Sequence, residues 1–210
     1  YVRMLRAQQQ APGEGALKDA ARSTGGGRDY AWALVFGALG MASKTSVVVL
    51  PVVLGLCGWW VEGRWNWRRL KGLAPWVLLA LGAAALALWT QHLEGANHEA
   101  WARSVPERII AAGCVVWFYL GKLLWPHPLI FIYPRWEIAA GNPLWWLPVL
   151  SLVLGFGLLW RGRARGWVRA LLFGLGYFVV ALVPVLGLAD HYFLRYSFVG
   201  DHFQYLASMG

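Results

Sequence analysis

The chain has 210 residues, of which 59% are hydrophobic and 14% are charged, and 15 of them are tryptophans. A soluble domain rarely has this composition. The net charge of +9 would suit nucleic-acid binding, but the basic residues lie in short clusters between apolar runs, a pattern that sets the orientation of membrane proteins. We therefore expect an integral, multi-pass membrane protein without a nucleic-acid partner.

Residues 1–29 are rich in Gln, Gly, Ala and basic residues, with three consecutive glycines near the end of the segment. This composition predicts a cytoplasmic loop or mobile segment, or a frayed helix. No signal peptide precedes it, and the sequence stops at the expected start of another apolar segment. We expect the chain to be a fragment, with residues 30–210 forming part of a transmembrane domain.

Five apolar stretches follow. Three carry no charge and are long enough, at about 1.5 Å per residue, to cross a hydrocarbon core of about 30 Å: residues 73–90, 143–160 and 170–189. The stretch 30–60 is too long for one straight crossing, so we predict two shorter helices that meet at Lys44. The stretch 109–125 contains Lys122, which makes it the weakest candidate for a crossing.

Two basic loops indicate the orientation, and both should stay cytoplasmic: Arg64, Arg68, Arg69 and Lys71 in the first, and Arg161, Arg163, Arg165 and Arg169 in the second. Three apolar stretches lie between them, yet two cytoplasmic loops require an even number of crossings. We predict that 109–125 does not cross and is re-entrant or surface-lying, because it contains Lys122 and runs into Pro126 and Pro128. Four polar regions then fall on the outer side: Lys44 and residues 91–108, 127–142 and 190–210.

Lys44 stands between two apolar runs, where an ammonium is costly unless water, a carboxylate or a phosphate meets it. One interpretation is a clamp for the phosphate of a lipid-linked donor. The other, of equal weight, is a helix-end lysine whose side chain reaches the membrane interface.

Two acid–histidine pairs, Asp190-His191 and Asp201-His202, flank Arg195 in the last segment. Such pairs suit general acid–base chemistry or the orientation of a substrate. The alternative, which we favour slightly, is that these residues cap a helix beginning near Asp201. A metal site is not expected, because no His-x-x-x-His or compact carboxylate cluster is present.

A second outer constellation is Tyr133-Pro134-Arg135-Trp136-Glu137. The guanidinium of Arg135 has the fork geometry that binds a phosphate or pyrophosphate. The alternative is an interfacial turn in which Arg135 and Glu137 pair with each other. The two cysteines, Cys57 and Cys114, lie inside apolar runs and imply neither a disulfide nor a zinc site.

Four segments resemble the membrane portion of bacterial proteins that join a GT-C type glycosyltransferase core to tetratricopeptide repeats, similar to transmembrane O-mannosyltransferases. The resemblance covers roughly residues 30–210 and depends on Ser43-Lys44-Thr45 with Pro51, Phe118-Tyr119-Leu120-Gly121-Lys122-Leu123-Leu124-Trp125-Pro126, Tyr133-Pro134-Arg135-Trp136, and Arg195-Tyr196-Ser197-Phe198-Val199-Gly200-Asp201-His202-Phe203-Gln204-Tyr205-Leu206. Gly200 stands where the family pattern has an alanine, and Asp190-His191 falls outside that pattern.

This resemblance implies an all-α, polytopic bundle of a bacterial inner membrane that moves a sugar from a polyprenyl-phosphate carrier to a protein or glycan acceptor on the extracytoplasmic side. It implies no other cofactor. The catalytic carboxylate is expected upstream of Tyr1, with Asp201 in reserve, and the repeats downstream of Gly210. Contacts to the donor phosphate or substrate are expected from Lys44, Arg135, Arg195, His202 and Tyr205.

Two other interpretations remain open. A membrane scaffold or assembly protein would keep the helical bundle and gather partners through its tetratricopeptide repeats. A transporter would show internal repeats related by symmetry, and the sequence contains none that we can identify.

Overall fold

The structure is a computed structural model that describes residues 25–93, 103–188, 194 and 196–210. Within these ranges the chain forms helices and no strand, so the predicted all-helical class is confirmed for the described part of the chain. The α-helices are α1 (Gly25–Ser43), α2 (Leu50–Glu62), α3 (Trp67–Lys71), α4 (Ala74–Leu93), α5 (Val105–Leu124), α6 (Leu147–Arg161) and α7 (Gly166–Leu182). Short 3-10 helices cover Thr45–Val49, Pro143–Trp146, Val183–Val185, Asp201–Phe203 and Ala207–Met209.

Three described segments have the length and apolar composition to cross a membrane: Thr45–Glu62, Pro143–Arg161 and Gly166–Val185. Two of them match the predicted stretches 143–160 and 170–189. The predicted stretch 73–90 corresponds to the shorter apolar helix Ala74–Thr90. Helix α5, which contains most of 109–125, is not among the three, and neither are α1 and α4. Whether 109–125 crosses the membrane stays a prediction.

The predicted break at Lys44 is confirmed. Helix α1 ends at Ser43, and Lys44 has an extended backbone with φ −153° and ψ 122° before the chain turns into the 3-10 helix Thr45–Val49. Pro51 stands at the start of α2, where its missing N–H costs no helical hydrogen bond.

Two helix boundaries differ from the predicted stretches. Helix α1 already begins at Gly25, so residues 25–29 are helical and the boundary at residue 29 falls within the first helix; residues 1–24 lie outside the described residues. Helix α7 covers Gly166–Leu182 instead of 170–189. It ends before Pro184, whose ring and missing N–H prevent a continued α-helix.

The chain divides into two compact units, residues 1–85 and 86–210. In unit 1, the Tyr30 hydroxyl donates to the carbonyl of Gly72 at 2.7 Å, which brings the start of α1 next to the start of α4. Gly37 lies against the ring of Trp76, because a side chain at this position would meet that indole. From Tyr30, α1 leads about 20 Å away to Ser43, and α2 returns the chain.

Unit 2 has its core along one face of α5. A capping box begins this helix, since the N–H of Ser104 donates to Glu107 at 3.0 Å. Helix α6 approaches α5 closely at Gly113, where an added Cβ would lie 2.5 Å from Val149. The main core residues of the unit come from α5, α7 and the terminal segment, whose described residues are 194 and 196–210. These core residues are Ala111, Val115, Val116, Tyr119, Phe178, Ala181, Leu182, Leu194, Phe198 and Val199.

Candidate functional site

Tyr119 fixes the terminal segment on α5. Its phenol, fully buried, donates to the carbonyl of Gly200 at 3.0 Å and accepts from the Gly200 N–H at 2.9 Å. The Gln204 amide adds a third bond by donating to the Tyr119 carbonyl at 2.8 Å. Burial raises the pKa of Tyr119, and nearby Asp201 raises it further, so the phenol stays protonated and can hold both bonds.

Asp201 links this terminal segment to the irregular stretch that follows α5. Its carboxylate accepts from the Ile130 N–H at 2.7 Å and from the Tyr133 hydroxyl at 3.0 Å. The interpretation of Asp201 as a helix cap is therefore wrong. Gly200 occupies the cap position of the short helix Asp201–Phe203, and no side chain bonds there.

Lys122 lies beside the same tyrosine. Its ammonium donates to the Pro128 carbonyl and is 5.1 Å from the ring centre of Tyr133 and 5.5 Å from that of Phe118. A cation over aromatic rings is attracted by their electron-rich faces. In the sequence, Lys122 stands out as a charge that interrupts an apolar run. Pro126, four residues later, is the sequence signal that the helix ends there and that Lys122 lies in its last turn.

Arg135 packs on the terminal segment as well. Its guanidinium lies 5.5 Å from the ring centre of Phe198, and Arg103 lies 4.4 Å from the same centre. Trp136 stacks on Phe198 at 5.6 Å. The alternative in which Arg135 pairs with Glu137 is wrong, because these two described side chains form no ion pair.

His202 is exposed and stacks on Phe131, with ring centres 4.8 Å apart. Tyr205 is also exposed. Lys44 is exposed in unit 1, at the junction of two helices. Arg195 lies outside the described residues, as do Asp190 and His191.

The structure thus gathers five side chains in what we call the terminal cluster: Lys122, Tyr133, Arg135, Asp201 and His202. The two segments that the sequence singled out separately meet here, since Tyr133 bonds Asp201 and Arg135 lies over Phe198. Chemically, the cluster offers two cations for an anionic oxygen and an exposed imidazole. The Asp201 carboxylate already accepts from the Ile130 N–H and lies 3.0 Å from the Tyr133 hydroxyl, which suits a positioning role better than proton abstraction. Among the described residues, no group of three or more His, Cys, Asp or Glu side chains is placed to hold a metal ion.

No protein-family model, no curated protein and no solved structure matches this chain. What can be said of its class therefore comes from the chain itself: a helical protein in which three described segments are long and apolar enough to cross a membrane.

Proposed function

We propose that the chain is the partial membrane domain of a glycosyltransferase that takes its sugar from a polyprenyl-phosphate donor. The acceptor is a protein or glycan on the extracytoplasmic side. The observation that carries this proposal is the terminal cluster, in which Arg135 lies over Phe198 of the segment 196–205 that also carries the family resemblance. Lys122 lies over the ring of Tyr133, whose hydroxyl meets Asp201 of the same segment.

The cluster supports a donor site through its charges. Transfer of a sugar leaves a carrier phosphate whose negative charge must be stabilised, and positioned cations are the usual means. Arg135 is exposed and on a short irregular stretch, so its fork can turn from the ring of Phe198 toward a phosphate at little cost. Arg195, which lies outside the described residues, remains a further candidate for this phosphate, and Lys44 of unit 1 remains a candidate for contact with a lipid phosphate.

The base that takes the acceptor proton is assigned to the upstream outer loop that the resemblance implies. Asp201 serves as a positioning residue, because the Ile130 N–H and the Tyr133 hydroxyl hold its carboxylate. His202 is the exposed titratable group of the cluster and is assigned to the orientation of the acceptor.

Native mass spectrometry of the protein that contains this chain, purified in mild detergent, tests the proposal. We expect an adduct with the mass of a polyprenyl phosphate or its sugar ester. Arg135→Ala should weaken binding of added undecaprenyl phosphate by about tenfold or more, since a hydrogen bond to a charged group contributes about 1.5–3 kcal/mol. Lys44→Ala tests the second cation in the same assay.

Arg163→Ala is the matched control. Arg163 also lies over an aromatic ring, that of Trp160 at 4.9 Å, but in the loop predicted to be cytoplasmic. Arg163→Ala removes one positive charge and one contact between a guanidinium and an aromatic ring, as Arg135→Ala does. If the wild type carries only bulk phospholipid, or if the two arginine variants bind the carrier equally, the donor site is not in the terminal cluster.

The second candidate is the non-enzymatic scaffold, and one observation favours it. The hydrogen bonds of Asp201 and Tyr119 account for the terminal motif as a way to fix the segment on α5, with no ligand required. A scaffold would transfer no sugar from a radiolabelled polyprenyl-phosphate donor to any acceptor, and Arg135→Ala would leave its partner binding unchanged.

A further inference from the structure

The turn between α2 and α4, which we call the basic turn (residues 63–72), has cations on its surface, and the carboxylate next to it belongs to Glu62 at the end of α2. Glu62, with 8% of its side chain exposed, pairs with Arg69 at 2.5 Å. Because the charges of Glu62 and Arg69 cancel, three exposed cations of the basic turn are left: Arg64, Arg68 and Lys71. Near this end of α1, the exposed Arg28 and Asp29 cancel in charge.

Two tryptophans of the basic turn face outward. Trp67 is 78% exposed and Trp65 is 48% exposed. The ring of Trp65 stacks on the buried Trp59, with centres 6.2 Å apart, and Asn66 caps α3 by accepting from the Arg68 N–H. The turn therefore has a defined shape that presents indoles and cations together, as residues at the headgroup level of a membrane do.

An apolar groove lies between α1 and α4 and holds about 700 Å³. Apolar side chains and one glycine line it, among them Leu34, Val35, Ala38, Leu78, Leu79 and Gly82. It includes Pro75, only four residues beyond Lys71, and the bond from Tyr30 to Gly72 brings α1 to the same end. The groove therefore begins where the basic turn ends.

We propose that unit 1 binds one anionic phospholipid, with its phosphate at Arg68 and Lys71 of the basic turn and an acyl chain in the groove between α1 and α4. Charge identifies the headgroup, because the exposed cations of the turn have no exposed acidic neighbour within residues 63–72. The wall of the groove runs from Pro75 to Ala83, nine residues that span about 12 Å of helix, so the groove takes part of an acyl chain. The occupant is a membrane lipid of the leaflet that faces the basic turn, and this site is separate from the donor site proposed for unit 2.

The test uses the purified protein in neutral detergent, with phosphatidylglycerol and phosphatidylcholine of identical acyl chains, and counts retained lipids by native mass spectrometry. We expect one phosphatidylglycerol to be retained in preference to phosphatidylcholine. Arg68→Gln with Lys71→Gln should weaken this binding by about 25-fold, because each basic residue near an anionic headgroup contributes about fivefold. Arg163→Gln with Arg165→Gln is the matched control and should leave the retained lipid in place.

Gly82→Leu tests the groove independently. A Cβ at Gly82, which lines the groove, meets no atom within 4 Å, so a leucine side chain there would occupy space in the groove. We expect phosphatidylglycerol binding to fall by about tenfold, the equivalent of two methylene contacts. Gly157→Leu on α6, where a Cβ also meets nothing, is the control and should have no effect.

Three outcomes would overturn the proposal. Equal retention of the two lipids by the wild type would exclude a headgroup site. An effect of the charge variant without an effect of Gly82→Leu would indicate surface attraction only. If undecaprenyl phosphate displaces phosphatidylglycerol and Gly82→Leu abolishes that competition, the groove belongs to the carrier lipid. Circular dichroism and size-exclusion profiles matching the wild type establish that each variant is folded.

Discussion

The hydroxyl of Tyr133 lies 3.0 Å from the carboxylate of Asp201, although the two residues are 68 positions apart in the sequence. Tyr133 is almost fully buried, and its ring also receives the ammonium of Lys122. This contact joins the irregular stretch after α5 to the terminal segment. Through this contact, the two constellations that the sequence predicts on the outer side form one local structure.

Tyr133→Phe removes this hydrogen bond and keeps the ring. We expect the free energy of unfolding to fall by about 1–2 kcal/mol, because the half-buried Asp201 carboxylate loses one of its donors. Asp201→Asn should have an effect of similar size, and the two changes combined should cost less than their sum by about 0.5–2 kcal/mol. Equilibrium unfolding in mixed micelles measures all three variants. Additive effects would show that the contact contributes nothing.

Tyr119→Phe should have a larger effect than Tyr133→Phe. The substitution leaves both main-chain groups of the buried Gly200 without the phenol, and an unsatisfied buried group costs about 1–3 kcal/mol. We expect faster proteolysis within residues 196–210, with α5 to α7 still helical by circular dichroism. An unchanged cleavage rate would mean that the packing of Phe198 and Val199 is enough to hold the segment.

Two glycines of α5 should respond to alanine in opposite directions. At Gly113 a methyl group would overlap Val149 of α6, and overpacking of this kind costs about 1–3 kcal/mol. At Gly121 a methyl group meets nothing, so Gly121→Ala should stabilise the helix by up to about 1 kcal/mol through the higher helix propensity of alanine. Thermal unfolding of the two variants side by side tests the close approach of α5 and α6. Equal melting temperatures would contradict it.

Cysteine labelling tests the predicted orientation of unit 1. With Cys57 and Cys114 replaced by alanine, Lys44→Cys should react with a membrane-impermeant maleimide added outside intact cells. Arg68→Cys should react only after permeabilisation. Tyr30 lies next to the basic turn, and α1 runs about 20 Å from Tyr30 to Ser43, so Arg68 and Lys44 lie at opposite ends of α1. The reverse pattern would place the basic turn outside and remove the basis for a lipid of the cytoplasmic leaflet.

Local signals in the sequence were sufficient for most helices of this fold. The break at Lys44 follows from a polar triplet within a stretch too long for one crossing, and the structure has it at that residue. The end of α7 also had a local signal in Pro184, but the prediction used the absence of charge, which extends to residue 189. The absence of charge indicates which residues can lie in the hydrocarbon core, whereas proline indicates where the α-helix ends.

The candidate site was only partly predictable, because its contacts join distant segments. Asp201 before a short helix favours a cap when the neighbouring residues alone are considered, and its actual partners, Ile130 and Tyr133, belong to another part of the chain. Lys122 likewise contacts a residue of another segment, since its ammonium lies over the ring of Tyr133. The sequence indicated which segments carry polar chemistry, and the tertiary contacts decide which of their side chains meet.

The bond from Tyr30 to Gly72 has a consequence for the membrane around unit 1. The segment Thr45–Glu62 has five residues in a 3-10 helix and thirteen in an α-helix, about 30 Å in all, which equals the hydrocarbon thickness of a typical bilayer. Helices that slide past each other adjust to a thicker bilayer, but here the start of α1 is fastened at the level of Gly72. Unit 1 therefore has a fixed hydrophobic height, so that a thicker bilayer must thin around it and a thinner bilayer must tilt the unit as a whole.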